Sequence, residues 1–181
     1  MITREQYTPG AASGAKVQKK NGDTWELILV RELRYPPAKV WKALTNPDDL
    51  REWAPFDSDK NLGTVGTATL STFGAPHVTE THVKRAEAPR VLEFEWGGGD
   101  IRWELEPLGR DGTRLTLWAN IDRRYVAMGA AGWHIALDVL DRLLAGQPIG
   151  RMAGPELMKF DGWQRLTAEY AKQFRVGTET T

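Results

Sequence analysis

The sequence predicts an α+β fold in which an antiparallel sheet packs against one long apolar helix. In residues 132–146, large apolar side chains recur at steps of three and four: Trp133, Leu137, Leu140 and Leu144. This spacing puts them on one side of an α-helix. Residues 91–121 instead alternate apolar and polar side chains, which is typical of antiparallel strands with one buried face.

The N-terminal part of the chain predicts a tail followed by a hairpin. Residues 1–14 contain prolines and glycines with little to bury, so we interpret them as a mobile tail. Asn21-Gly22 is a favoured two-residue turn, and it joins residues 15–20 to a strand over residues 25–33. The centre of that strand is apolar on both faces, which predicts a strand covered on both sides.

Two short helices are expected directly after the first long strand. Pro37 suits the first turn of a helix over residues 38–44, because its fixed φ is already helical. Pro47 bars the continuation of that helix, and Asn46 is placed to cap a second one. The stretch is too short for a parallel crossover, so an antiparallel sheet follows.

The remaining elements are a run of strands and two further helices. The strands cover residues 66–73, 77–86, 91–96, 101–106 and 114–121. Asp122 can cap the long helix and Gly146 can end it, whereas Gly129 and Gly132 weaken its first turns by about 1 kcal/mol each. His134 and Asp138 lie off the apolar stripe, on the side expected to face water.

A last amphipathic helix completes a single domain over residues 15–175, and residues 176–181 form a C-terminal tail. Its buried side carries Trp163, Leu166, Tyr170 and Phe174.

Composition excludes several classes of function. The 24 basic and 24 acidic residues cancel, so no overall field attracts nucleic acid or an anionic membrane. Cysteine is absent, which excludes disulfides, thiolate metal sites and cysteine catalysis and fits a cytoplasmic location. No apolar run approaches the ~20 residues that span a bilayer. The eight tryptophans indicate either wide spaces to fill or an aromatic-lined cavity.

No catalytic or metal-binding set stands out. Glu80 and His82 share a strand face but His77 does not join them, and two ligands do not make a metal site. No nucleophile-elbow pattern occurs, and Gly97-Gly98-Gly99 lacks the lysine and helix of a phosphate-binding loop. We therefore assign no catalytic residue, no metal and no cofactor, and leave enzymatic activity open while favouring a protein that is not an enzyme.

The order of elements resembles the helix-grip fold of the Bet v 1, START and polyketide-cyclase-like proteins, the SRPBCC superfamily. Residues 31–47, with Tyr35-Pro36-Pro37 at their centre, and residues 50–56 are similar to the opening of the Aha1 C-terminal-domain-like group, the activator-of-Hsp90-ATPase homologues. Gly132-Trp133 and Gly162-Trp163, which open the two C-terminal helices, are also typical of bacterial members. The resemblance covers residues 15–175.

The resemblance implies a curved sheet around the long helix and a cavity between them. We expect that cavity to be lined by Phe56, Phe73, Trp96, Trp103, Leu117, Trp133 and Leu137, with His134 at its rim. The alternative is a filled core, because aromatic side chains at strand and helix spacing are usually packed.

Three functions follow from this interpretation. The first is a carrier or sensor that binds a small apolar molecule in the cavity. The second is an interaction module with a chaperone partner in a stress response, as the Hsp90-activator resemblance implies. The third is a cyclase- or dehydratase-like enzyme, which would need a buried, pKa-shifted acid in the cavity. We favour the first, as a monomer or homodimer.

Overall fold

The computed structural model describes residues 2–177 and confirms the predicted α+β helix-grip fold. Its strands are β1 (Ala15–Asn21), β2 (Thr24–Leu33), β3 (Phe56–Ser58), β4 (Gly66–Thr72), β5 (Val78–Val83), β6 (Arg85–Glu87), β7 (Val91–Trp96), β8 (Gly99–Leu108) and β9 (Gly112–Asp122). Its helices are α1 (Pro37–Thr45), α2 (Pro47–Trp53), α3 (Val126–Leu144), α4 (Gly154–Met158) and α5 (Asp161–Phe174). Of the predicted C-terminal tail, residues 178–181 lie outside the described part.

The strands form two antiparallel sheets. The larger one has the order β1-β2-β9-β8-β7-β6, and the smaller one has the order β3-β4-β5. Thr81 joins them, because its Oγ1 donates to the Glu95 carbonyl oxygen at 2.7 Å and accepts from the Glu95 N–H at 3.1 Å. The sequence predicts most of these strands, but it misses β3, and its single strand over residues 77–86 is divided into β5 and β6, which belong to different sheets.

The long helix α3 packs on the inner face of the larger sheet. It contacts β2 and β9 of this sheet and also packs against α1, α2 and α5. The predicted stripe of Trp133, Leu137, Leu140 and Leu144 is buried, in one cluster with the rest of the apolar core. Gly146 adopts a φ of 74°, the left-handed conformation expected of the residue that ends a helix.

The N-terminal segment, residues 2–14, lies across α3 and α5, where the sequence predicts a mobile tail. Tyr7 and Ala12 are buried, and the Tyr7 hydroxyl is 2.5 Å from Asp138 Oδ2. Arg165 of α5 donates to the Pro9 carbonyl oxygen. This segment therefore covers the side of α3 that the local sequence pattern assigns to solvent.

Helix α2 positions a buried tryptophan under the sheet. Asn46 Oδ1 accepts from the N–H groups of Asp48 and Asp49 at 2.9 and 3.3 Å, as the sequence predicts for a cap. At the other end of α2, the Trp53 indole N–H donates to the Ala43 carbonyl oxygen, and its ring meets Trp103 edge to face. The cap thus fixes the helix that supports the aromatic core.

Removing this cap is expected to cost about 1 kcal/mol in the free energy of unfolding. Asn46→Ala leaves two helix N–H groups without their acceptor, whereas Asn46→Ser keeps an oxygen within reach and should lose only a few tenths of a kcal/mol. Urea denaturation of both variants beside the wild type measures the difference. Equal losses in the two variants would show that the side-chain acceptor is not what matters.

Candidate functional site

A cavity of about 690 Å³ lies between the sheet, the N-terminal half of α3 and the segment that follows α3. The sheet contributes the glycine turn before β8 and the last residues of β9. The outer wall comes from residues 152–154 and from α4, and Trp163 of α5 completes it. The volume falls within the range of small-molecule sites in proteins.

Two tryptophans form the inner boundary of the cavity. Trp96 at the end of β7 and Trp133 on α3 both line it, and their rings meet edge to face with centroids 5.9 Å apart. Trp103 supports Trp133 from behind at 5.6 Å, and Phe56 supports Trp96 at 5.3 Å. These contacts hold the two lining rings in place, so the inner boundary is a rigid aromatic surface.

The outer part of the lining is rich in methionine. The chain has four methionines, and Met128, Met152 and Met158 all line the cavity. Methionine is unbranched and polarizable, so it adapts to irregular apolar surfaces and makes favourable contacts with aromatic rings. The cavity therefore combines a rigid inner surface with an adaptable outer one.

Two glycines on α3 make room for the cavity. Gly129 and Gly132 are three residues apart, so they lie on one face of the helix, beside Trp133 and Ala136. A Cβ atom at Gly132 would meet no neighbouring heavy atom within 4 Å, whereas one at Gly129 would lie 2.6 Å from Ile121 Cδ1. A side chain at position 132 would thus extend into open space.

The cavity is poor in charge. Asp122 is the carboxylate that lines it within the described residues, and it sits beside Tyr125, whose side chain is exposed at the mouth. The Arg124 side chain and backbone N–H both donate to Asp122, and these hydrogen bonds lower the pKa of the carboxyl. Asp122 is therefore ionised at neutral pH and poorly suited to act as a general acid.

The structure brings some of the predicted lining residues to the cavity and places others behind it. Trp96 and Trp133 line it directly. Phe56 and Trp103 pack behind these two rings, and Leu117 and Leu137 are fully buried in the core. None of these last four residues lines the open space.

Phe73 lies outside the cavity and is 42% exposed, with the Arg151 guanidinium carbon 4.6 Å from its ring centroid. It still touches the outer wall, because Gly154 packs against its backbone and ring. Phe73 therefore reaches the cavity only through this wall.

His134 faces away from the cavity, toward α5 and the N-terminal segment. Its Nδ1 is 2.7 Å from the Tyr170 hydroxyl, which donates to the Ser13 carbonyl oxygen, and its Nε2 is 3.7 Å from Asp138 Oδ2. Burial lowers the pKa of His134 to about 4. The sequence places this residue at the rim because it borders the apolar stripe, but residues 2–14 cover that side of α3.

Burial also raises the pKa of Asp138 and of Tyr7, and the Asp138 charge raises that of Tyr7 further. The group is held together by its own hydrogen bonds, which fasten the N-terminal segment to α3 and α5. We assign it a structural role.

Sequence reasoning missed the glycines of α3, the three methionines, Tyr125 and Trp163 as lining residues. The glycines carried a usable signal, since two small residues three apart in an otherwise apolar helix leave a gap on one face. The methionines carried none, because the two in the segment after α3 reach the cavity only through the path of that segment.

Two further findings bear on function. Among residues 2–177, no group of three or more histidines and carboxylates is arranged to hold a metal ion. No helix in the same part of the chain is both long and apolar enough to cross a membrane.

Solved structures resemble this fold over most of its length. A conserved protein from Enterococcus faecalis, EF2215, is 20% identical, with a TM-score of 0.69 over 90% of this chain and 92% of that one. CalU16 from Micromonospora echinospora is 22% identical, with a TM-score of 0.63 over 88% and 98%. DynU16, a protein of the dynemicin biosynthetic locus, is 22% identical, with a TM-score of 0.62 over 73% and 51%.

A sequence comparison with curated proteins gives no significant match, and nothing confirms the closer resemblance to Aha1 C-terminal domains. A family model, described as polyketide cyclase / dehydrase and lipid transport, matches residues 24–146. That region contains the whole larger sheet except β1, together with α1 to α3. The chain therefore belongs to this polyketide cyclase/dehydrase and lipid transport family, in the SRPBCC superfamily of helix-grip proteins.

Proposed function

We propose that this protein binds a small, uncharged, apolar molecule in the cavity and acts as its carrier or sensor. The observation that carries the proposal is the cavity of about 690 Å³, bounded by Trp96, Trp133 and Trp163 and by three methionines. Apolar concave spaces of this size are few in a protein and are the usual sites of small ligands.

The charge distribution favours an uncharged ligand. An anionic ligand would meet the Asp122 carboxylate at the mouth, and a cationic group moved inward would lose its hydration without a buried partner. Indole rings and thioethers instead offer dispersion and sulfur–aromatic contacts, which suit a molecule that carries a ring.

Binding is favoured over catalysis for a related reason. A cyclase- or dehydratase-like reaction would need an acid or base in the cavity with a pKa near neutrality. Hydrogen bonds from Arg124 lower the pKa of Asp122, which moves it further from neutrality. His134, whose pKa is strongly lowered, lies on the other side of α3. The family match supports a ligand-binding domain without assigning a reaction.

Native mass spectrometry of freshly purified protein tests for a co-purified molecule, and titration with the uncharged dye N-phenyl-1-naphthylamine tests the cavity itself. Bound dye should quench the cavity tryptophans and, at a hundredfold excess over its dissociation constant, stabilise the fold by about 2.7 kcal/mol. A protein without co-purified mass, without quenching and without thermal stabilisation across a panel of neutral apolar compounds would refute the proposal.

A further inference from the structure

Part of the outer wall of the cavity is an irregular segment with a glycine at each end. Residues 150–154 begin at Gly150 and end at Gly154, with φ values of 84° and 72°. Glycine adopts such positive values at no steric cost, and it has no side chain to anchor it. Between them, Met152 and Ala153 are buried and line the cavity.

One residue of this segment, Arg151, fastens it to the rest of the molecule. Its Nη2 is 2.5 Å from Asp57 Oδ1 in β3, and its Nε donates to the Arg51 carbonyl oxygen in α2 at 2.8 Å. Its guanidinium lies over the Phe73 ring. The Arg151 carbonyl oxygen accepts from Arg4 Nη1 at 2.6 Å. Arg151 thus ties the wall to four separate parts of the chain.

These contacts hold the wall closed, but they can break and form again. The Arg151 side chain is 9% exposed, but its partner Asp57 is 42% exposed, so water can replace the arginine at the carboxylate when the wall moves. Arg151 Nη1 is buried without a hydrogen-bond partner in the described residues, which lowers the advantage of the closed state. Neither Arg151 nor any of its partners lines the cavity, so a substitution at Arg151 removes no lining side chain.

We infer that residues 150–154 form a lid over the cavity and that Arg151 is the latch that keeps this lid closed, so that it sets the rate of ligand exchange. The inference rests on the proposed function. Arg151 is a positioning residue, because it acts through the wall rather than through contact with the ligand.

Stopped-flow mixing with N-phenyl-1-naphthylamine tests the latch. Arg151→Met keeps an apolar stem over Phe73 but loses the guanidinium. We expect both association and release of the dye to accelerate about tenfold, while the dissociation constant changes less than about threefold, since an easier opening step speeds entry and exit alike. The matched control is Arg110→Met, which removes an exposed arginine from the turn between β8 and β9 and should leave both rates unchanged.

Unchanged rates in Arg151→Met would overturn the inference. So would a faster release alone, because it would mean that Arg151 contributes to affinity instead of to opening. Asp57→Asn gives an independent variant with the same expected direction, and it serves as the test if Arg151→Met does not fold. The double variant should exchange dye no faster than Arg151→Met, since both changes break one contact.

Native-state hydrogen exchange without dye separates the lid from the proposed function. In Arg151→Met, the amides of residues 151–153 should exchange about tenfold faster while those of α3 stay unchanged. Unchanged exchange at 151–153 would refute the lid even if dye binds. Faster exchange in a protein that binds neither the dye nor any compound of the neutral apolar panel, and that carries no co-purified mass, would support an opening wall and refute the proposed function.

Discussion

Replacing Gly132 with leucine is expected to weaken binding of N-phenyl-1-naphthylamine at least about a hundredfold, equivalent to about 2.7 kcal/mol, without unfolding the protein. A Cβ atom at this position meets nothing within 4 Å, so the leucine side chain extends from α3 into the cavity beside Trp133. It would occupy space that the ligand needs and would displace no core residue. Fluorescence titration of the variant gives the change in dissociation constant.

For the same variant we expect the affinity for the dye to fall while the free energy of unfolding stays the same or rises. Leucine is a better helix former than glycine by about 0.8 kcal/mol, and its side chain would contact the indole rings of the lining. Gly132→Leu should therefore be at least as stable as the wild type. Loss of binding together with retained or raised stability is difficult to obtain by general damage to the fold.

The matched control is Gly10→Leu in the N-terminal segment, where a Cβ atom also meets no neighbour within 4 Å. It adds the same side chain away from the cavity and should leave the affinity unchanged. Gly132→Ala adds a single methyl group and should keep most of the affinity. Full affinity in Gly132→Leu, or an equal loss in Gly10→Leu, would show that the dye binds elsewhere.

The sequence predicts the elements of this fold well because their signals are local. The predicted hairpin forms with its two-residue turn at Gly22-Asp23, one position after Asn21-Gly22, because Asn21 still pairs with Thr24, and Asn46 caps α2 as expected. Gly146 takes the left-handed conformation at the end of α3. In each case the physical cause lies within four residues of the feature, so a single sequence contains it.

The cavity is only partly predictable, because hydrophobic periodicity identifies a buried face but not what that face meets. Leu117 and Trp96 occupy equivalent inward positions on their strands, yet Leu117 packs in the core and Trp96 borders open space. The difference depends on where the sheet, α3 and the lid diverge. Within α3, the absence of a side chain at Gly132 is a local sign of this open space.

The wet face of α3 shows where local reasoning fails most clearly. Spacing alone puts His134 and Asp138 in water. Instead the Tyr7 hydroxyl donates to Asp138, which lies 131 positions away in the sequence. The Tyr170 hydroxyl likewise donates to the carbonyl oxygen of the distant Ser13. The spacing of residues within α3 carries no information about these contacts, because their partners lie far away in the sequence.

The buried position of His134 predicts that acid destabilises the protein between about pH 6.5 and pH 4. Its folded pKa of about 4 lies below the unfolded value of 6.5, so the unfolded state binds more protons in this window. Stability from this group is therefore complete above pH 6.5 and falls as the pH decreases toward 4, by up to about 3 kcal/mol. Urea denaturation at intervals across this window measures the loss.

Several charged groups face the imidazole, and burial outweighs them. Arg31 of β2 and Arg165 of α5 lower the pKa of His134 further, whereas Glu169 of α5 raises it. Asp138 also attracts a proton to the ring, but it is engaged by the Tyr7 hydroxyl at 2.5 Å. Burial raises the pKa of Asp138 itself, so that group contributes a pH dependence of the opposite sign above pH 3.8.

A difference between variants isolates the histidine from these neighbours. His134→Gln removes the titration but leaves Asp138 and the arginines, so its stability should be lower by about 1 kcal/mol at pH 7 and should lack the acid-dependent loss between pH 6.5 and 4. His77→Gln, at an exposed histidine before β5, should retain the full wild-type dependence. An identical pH profile in His134→Gln and wild type would contradict the assignment, since the proton taken up on unfolding would then belong to another group.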